Sequence, residues 1–240
     1  MRRRAVVFAL LAFALTLVGS SSAAARTNAP RLGPIHKITH STSSNWSGYS
    51  AINGRYTTVS ANWKQPTASC TSATTYSSFW VGLDGDGSNT VEQTGTSADC
   101  SGGTPRYYAW YEMYPKFPVN LGIAVRPGDS MSGSVTTDGS GHFTLHIHNG
   151  TTGGDFVTTQ TLKKARLASA EAIAEAPSGS GGVLPLTNFG TVSFSSVTVN
   201  GQAIGAFNPD RIDMVGNGFT KAQTSALSGG NAFSVTWKHS

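Results

Sequence analysis

What most constrains this chain is a repeated alternation of short β-type runs and tight turns. From about Ser43 onward, runs that alternate apolar with polar residues, or are rich in β-branched and aromatic ones, are broken by clusters of Gly, Asn, Asp and Ser. Successive side chains on a strand point to opposite faces, so such runs bury one face and solvate the other. The pattern predicts strands over Tyr56–Trp63, Ser78–Leu83, Tyr107–Tyr114, Ser130–Thr136, His142–His148, Phe156–Leu162, Thr191–Asn200, Arg211–Val215 and Ala232–Trp237. Turn signals fall between or beside them, at Asp84-Gly85-Asp86-Gly87, Asp138-Gly139, Asn149-Gly150 and Asn200-Gly201. Many strands joined by short links make an all-β sandwich of two sheets the expected architecture. One segment resists. Ala165 to Ala176 is alanine-rich with Glu171 and Glu175 four apart, which by propensity is a helix, yet Glu171, Ile173 and Glu175 also share one strand face. The residues leave both open.

The first 25 residues have the parts of a secretory signal. Arg2, Arg3 and Arg4 precede an apolar run from Ala5 to Val18 that is too short to span a bilayer comfortably, and Ala23-Ala24-Ala25 offers small residues for the cut. Residues 1–25 therefore read as a signal peptide, 26–42 as a flexible leader or short propeptide, and 43–240 as one β domain. No later run is long and apolar enough to cross a membrane, so the expected product is secreted and extracellular, with no stable membrane association. The chain has 17 Lys plus Arg against 12 Asp plus Glu, and removal of the three signal arginines leaves 14 against 12. So balanced a charge excludes the strongly basic surface that nucleic-acid binding needs. In an oxidising compartment Cys70 and Cys100 are expected to form one disulfide.

Familiar hydrolase signatures are missing: no G-x-S-x-G elbow, H-E-x-x-H zinc motif or D-[ST]-G occurs. His142, His146 and His148 share a strand face, but Phe143, Leu145 and Ile147 occupy the other, so the histidines read as its solvated side and no metal or cofactor is expected. The glutamates are more informative. Glu92, Glu112, Glu171 and Glu175 are all the chain contains, and each lies among apolar or aromatic residues. A carboxylate is costly to bury unless paired or used, so this placement points to a cleft; the alternative is a set of outward-facing strand residues.

Three separated segments carry a resemblance: Trp80-Val81-Gly82-Leu83-Asp84-Gly85-Asp86, Glu92-Gln93-Thr94-Gly95, and Tyr108-Ala109-Trp110-Tyr111-Glu112-Met113-Tyr114-Pro115. Together with Ser44-Asn45-Trp46-Ser47-Gly48 and Ala170-Glu171-Ala172-Ile173-Ala174-Glu175, they resemble in kind and order the glutamic peptidases, the eqolisin family, most nearly its bacterial-type members. The resemblance runs from Ser44 to Trp237. It implies two large, bent antiparallel sheets in a lectin-like (concanavalin-like) sandwich with the active site on the concave face, and it favours strand over helix at Ala170–Glu175. It also implies a catalytic pair, Glu175 as general base and then acid toward a bound water, and Gln93 stabilising the oxyanion. Asn45, Trp46, Trp80, Asp84, Trp110, Glu112 and Tyr114 match supporting or substrate-binding positions. Asp84 or Glu112 would orient the pair, and Tyr114 would cap the cleft. The expected enzyme is a monomeric endopeptidase acting on protein or peptide substrates, with an acidic optimum. Unlike the better-known fungal members, this chain has no second cysteine-bounded loop after the catalytic glutamate. The competing readings are a non-enzymatic carbohydrate-binding module, whose aromatic residues would stack on sugars, and a structural wall protein.

Overall fold

The computed structural model describes residues 42–240; the expected signal peptide and all but the last residue of the expected leader lie outside the described residues. Two antiparallel sheets stack face to face. From edge to edge the first holds the strands Gly154–Thr161, His142–Asn149, Ser130–Thr137, Thr58–Lys64, Thr191–Val199, Phe233–Trp237, Phe219–Thr224 and Asp210–Gly216. The second continues through Trp46–Ala51, Ala170–Glu175, Ser78–Leu83, Val91–Ser101, Thr104–Tyr114 and Val119–Asn120. Asp210–Gly216 joins the two: Asp210 to Ile212 pair with Trp46–Ala51, and beyond them the strand pairs with Phe219–Thr224, with a register shift between Met214 and Val215. All nine strands expected from the alternation are present, within a few residues at their ends.

Period-two alternation builds the core between the sheets. In Ser78–Leu83, Phe79, Val81 and Leu83 point into it, where they meet Val59, Trp63, Phe143, Leu145, Ile147 and Phe194 from the first sheet. On His142–Asn149 the expected division holds. Phe143, Leu145 and Ile147 are core, while His146 and His148 stand on the outer side against the Asp155 carboxylate, at 2.6 and 3.1 Å.

Ala165–Ala176 is not a helix: Ala170–Glu175 is a central strand of the second sheet. Its alanines at 170, 172 and 174 face the core, and Glu171, Ile173 and Glu175 face away from it. Helix propensity is overridden because the neighbouring strands Trp46–Ala51 and Ser78–Leu83 both pair with it along its full length. Besides the two-residue strands, Trp46–Ala51, Phe219–Thr224 and Val91–Ser101 escape the alternation rule, the last buried from Val91 to Cys100 although it reads as polar. Its hydroxyls find partners within the fold: Thr96 accepts a 2.9 Å bond from Trp63 Nε1, and Thr94 donates to the Trp110 carbonyl at 2.9 Å.

Cys70 and Cys100 are joined, as expected, closing a 30-residue separation with their Cα atoms 5.4 Å apart. The bond ties the end of Val91–Ser101 to the Cys70 loop. By loop-closure entropy, Cys70→Ser with Cys100→Ser should lower unfolding stability by about 3 kcal/mol, measured by denaturant titration against wild type.

Candidate active site

The second sheet has two differently populated faces. Away from the core, Trp46, Trp80, Val91, Trp110, Ile173 and Ile212 form a separate apolar cluster with Tyr108 and Tyr114 packed against it. Strand pairing sets the side chains of this face in rows. Ser50, Glu171, Gly82, Gln93 and Glu112 make one row; Gly48, Ile173, Trp80, Gly95 and Trp110 the next; and Trp46, Glu175, Ser78, Ser97 and Tyr108 a third. Gln93 and Glu175 therefore share a face and stand two rows apart, with Trp80 in the row between them.

Glycines make room for that tryptophan. A Cβ on Gly95 would stand 2.5 Å from Trp80 Cβ and 2.3 Å from the Phe79 carbonyl, and one on Gly82 would lie 3.0 Å from the Trp80 ring. The Trp46 ring meets Trp80 edge-on, with centroids 4.9 Å apart.

Both oxygens of Glu175 are held by N–H donors. Trp80 Nε1 donates to Oε2 at 2.8 Å and Asn45 Nδ2 donates to Oε1 at 3.2 Å. Asn45 is in turn oriented by Ser43, whose hydroxyl donates to Asn45 Oδ1 at 3.1 Å while accepting the Trp46 backbone N–H at 3.1 Å. Gln93 is set by Glu112: its Nε2 donates to Glu112 Oε2 at 2.7 Å, so its Oε1 is turned elsewhere, buried and without a protein partner. The remaining N–H of that amide is a second donor. Trp110 is anchored by its Nε1 on Ser97 Oγ at 3.0 Å.

The other candidate residues are distributed more widely. Asp84 sits in a left-handed turn with φ 67° and accepts the backbone N–H groups of Arg166, Leu167 and Ala168, each at 2.8 Å. Its carboxylate ties down the loop that leads into Ala170–Glu175, and these hydrogen bonds go there rather than to Gln93 or Glu175. Tyr114 borders the apolar cluster from the strand's end, opposite Val91. The sequence patterns missed Ser43, two residues before Asn45, and the pair Asp99 and Tyr108, where the tyrosine hydroxyl donates to the carboxylate at 2.7 Å.

All four glutamates are buried, and none is the outward-facing strand residue that the alternative allowed. Glu112, Glu171 and Glu175 share the tryptophan-lined face; Glu92 points the other way, level with Leu83 and Met113 of the core. Burial, with a smaller push from Asp84, raises Glu92 to about 9, and burial raises Asp99 to about 6. Glu171 is also held well above the ordinary carboxyl range, first by burial, with Asp86 and Asp84 adding to it. Among the described residues no three or more histidines, cysteines or carboxylates converge as a metal site.

These shifts fix the sign of the pH dependence of folding. A raised carboxyl binds its proton more tightly in the native state, so its stabilisation is complete below the unfolded value near 4 and declines as pH rises toward the native one. Stability should therefore be greatest in acid, falling toward pH 6 as Asp99 titrates and onward toward 9 as Glu92 does. Melting temperatures measured across that range should show the decline, and Glu92→Gln should flatten its upper part.

Comparison with known proteins gives the chain a family. The chain is 27% identical over 230 residues to aspergillopepsin-2 of Aspergillus niger, covering 81% of this chain and 78% of that one. It is 42% identical to scytalidopepsin B of Scytalidium lignicola over 114 residues, 46% of this chain and 42% of that one. Its fold superposes with a TM-score of 0.72 on scytalido-glutamic peptidase crystallised with a transition state analog inhibitor, at 26% identity over 81% of this chain and 98% of the other. With aspergilloglutamic peptidase from Aspergillus niger the TM-score is 0.62 at 27% identity, over 68% of this chain and 99% of the other. The Peptidase A4 family model matches residues 44–237, and the chain belongs to that family, the glutamic peptidases.

Proposed function

We propose that this peptidase cleaves proteins by direct attack of water, with Glu175 as general base and Gln93 as oxyanion donor. The observation that carries the reading is the pair of hydrogen bonds from Trp80 and Asn45 to Glu175, matched by the bond from Gln93 to Glu112 on the same buried face. Each Glu175 oxygen accepts a protein N–H, and a carboxylate oxygen can also accept from a water. As Glu175 removes a proton from that water, the water oxygen bonds to the scissile carbonyl carbon and the carbonyl π pair moves onto its oxygen. The Gln93 N–H not used by Glu112 donates to that oxyanion, and Gln93 Oε1 accepts from the water. Collapse of the tetrahedral intermediate breaks the C–N bond, and the proton held by Glu175 passes to the leaving nitrogen.

Glu112 acts through Gln93. By accepting one amide N–H it fixes which end of the side chain faces the oxyanion, a choice a free glutamine would make only part of the time. The tryptophans exclude water from around the reacting groups, which strengthens each of these hydrogen bonds. A carboxylate base held by two N–H donors suits work in acid. We read the enzyme as a secreted monomer, released by a cut after Ala25, that acts extracellularly on protein or peptide substrates.

Digestion of an unfolded protein between pH 2 and 7 tests the assignment. Gln93→Ala should lower kcat by about a hundredfold through loss of one oxyanion donor, and Glu175→Gln should lower it by about a thousandfold or more. Full activity in either variant would reject the pair. Trp80→Phe removes a donor that favours the ionised form of Glu175, so the acid limb of its kcat/KM profile should move to higher pH while the fold stays intact.

A further inference from the structure

On the side away from Gln93, the tryptophan-lined face carries a hydrogen-bonded pair that the proposed reaction does not use. Tyr108 lies in the row of Glu175, Ser78 and Ser97, and Asp99 stands two residues beyond Ser97 on the neighbouring strand. Gln93 lies four residues back along that strand from Ser97, so at ~3.3 Å per residue the rows of Gln93 and Tyr108 are about 13 Å apart. Trp46, Trp80 and Trp110 are fully buried, whereas Tyr108 is partly exposed, which makes it a side chain of this face that a ligand in the cleft can touch.

Asp99 is 9% exposed; its Oδ1 accepts the Ser77 backbone N–H at 3.3 Å and its Oδ2 accepts the Tyr108 hydroxyl at 2.7 Å. Arg106 stands opposite it on the ladder, exposed to solvent, and makes no ion pair with it among the described residues; Tyr76, from the segment before Ser78–Leu83, is the other titratable side chain beside Tyr108. Burial raises Asp99 to about 6, and burial together with the Asp99 charge pushes Tyr108 well above the ordinary phenol range. The phenol therefore keeps its proton while the carboxyl gains and loses one. That proton decides which way the bond between them runs. Ionised, Asp99 can only accept, so the Tyr108 O–H is spent on it and only lone pairs of Oη remain for the cleft. Protonated, with Oδ1 still on the Ser77 N–H, Asp99 donates from Oδ2 to Tyr108 Oη, and the phenolic hydrogen is released to turn outward as a donor. An extended peptide offers backbone carbonyls to such a donor.

We propose that Tyr108 is a substrate-binding residue that donates to a backbone carbonyl of the peptide about four residues from the scissile bond, and that Asp99 is its positioning residue, freeing the hydroxyl only when protonated. The inference rests on Gln93 and Glu175 marking the reaction centre, as set out above. The distance along the peptide follows from the rows, because four extended residues span about 13 Å.

The test compares two internally quenched peptides with blocked ends and no ionisable side chains, one reaching three residues on each side of the cut and one reaching five. The ratio of kcat/KM, long over short, cancels changes at the catalytic pair and reads the remote contact alone. In wild type this ratio should be about tenfold higher at pH 4 than at pH 7, through KM, since one hydrogen bond is gained as Asp99 takes up its proton. Tyr108→Phe should hold the ratio at its lower value at both pH values. Asp99→Asn should hold it at the higher one, because an amide whose oxygen stays on the Ser77 N–H presents its own N–H to Tyr108 Oη, as the protonated acid does. A merely structural role would lower the ratio in both variants alike. A wild-type ratio that does not change with pH, a change that survives in Tyr108→Phe, or a low ratio in folded Asp99→Asn overturns the proposal and leaves the peptidase standing. Failure of wild type to cleave either peptide overturns both.

Discussion

The candidate active site depends on how closely backbone can approach backbone around the strand Ala170–Glu175. Its core-facing side chains are alanines, and Gly48 on one neighbour is so tightly placed that a Cβ there would stand 2.2 Å from the Ala172 carbonyl. Small residues on this strand and its neighbours leave the opposite face free for large ones. Trp46, Trp80, Trp110 and Ile173 fill it and bury the carboxylates among them. The division of one strand into an alanine face and a glutamate face thus links packing to the proposed chemistry: the same alternation that closes the core brings Glu175 to the tryptophan-lined face.

Burial then decides how each carboxyl is used. Glu175 and Glu112 are met by N–H donors, from Trp80 and Asn45 in one case and from Gln93 in the other, which suits charged acceptors. Glu92 and Glu171 are pushed upward by burial and carry protons well above the usual carboxyl range. A sheet with this many buried carboxyls is best matched to acid, where the protonated ones cost least to bury. Stability and the proposed chemistry therefore favour the same side of neutrality, for different reasons. The first follows from carboxyls that hold protons, the second from one whose ionised form is stabilised by two N–H donors.

Supporting residues form a layer as specific as the pair itself. Ser43 orients Asn45, which orients Glu175; Glu112 orients Gln93; Ser97 anchors Trp110. Asp84 works at a distance, clamping three backbone N–H groups of the loop before Ala170–Glu175 and so setting where that strand begins. Each link is a hydrogen bond between residues far apart in the chain, on paired strands or, for Ser43 and Asn45, two residues apart, and truncating one loosens the geometry of the next.

The sequence by itself determined the fold class and most of the strands, because alternation is written locally: Phe143, Leu145 and Ile147 against the histidines between them need no tertiary information. Motif order also pointed to the family, with Gln93 and Glu175 as its candidate pair. Tertiary structure decided what depends on partners distant in the chain. Helix or strand at Ala170–Glu175 was settled by two neighbours pairing along its whole length, and in the buried strand Val91–Ser101 Trp63, Trp110 and Glu112 bond Thr96, Thr94 and the Gln93 amide. Nor does any local pattern tell that Glu92 faces the core while Gln93, its neighbour, faces the tryptophans. Which face is which is fixed only when the sheets stack, since one step along a strand moves a side chain from one environment to the other.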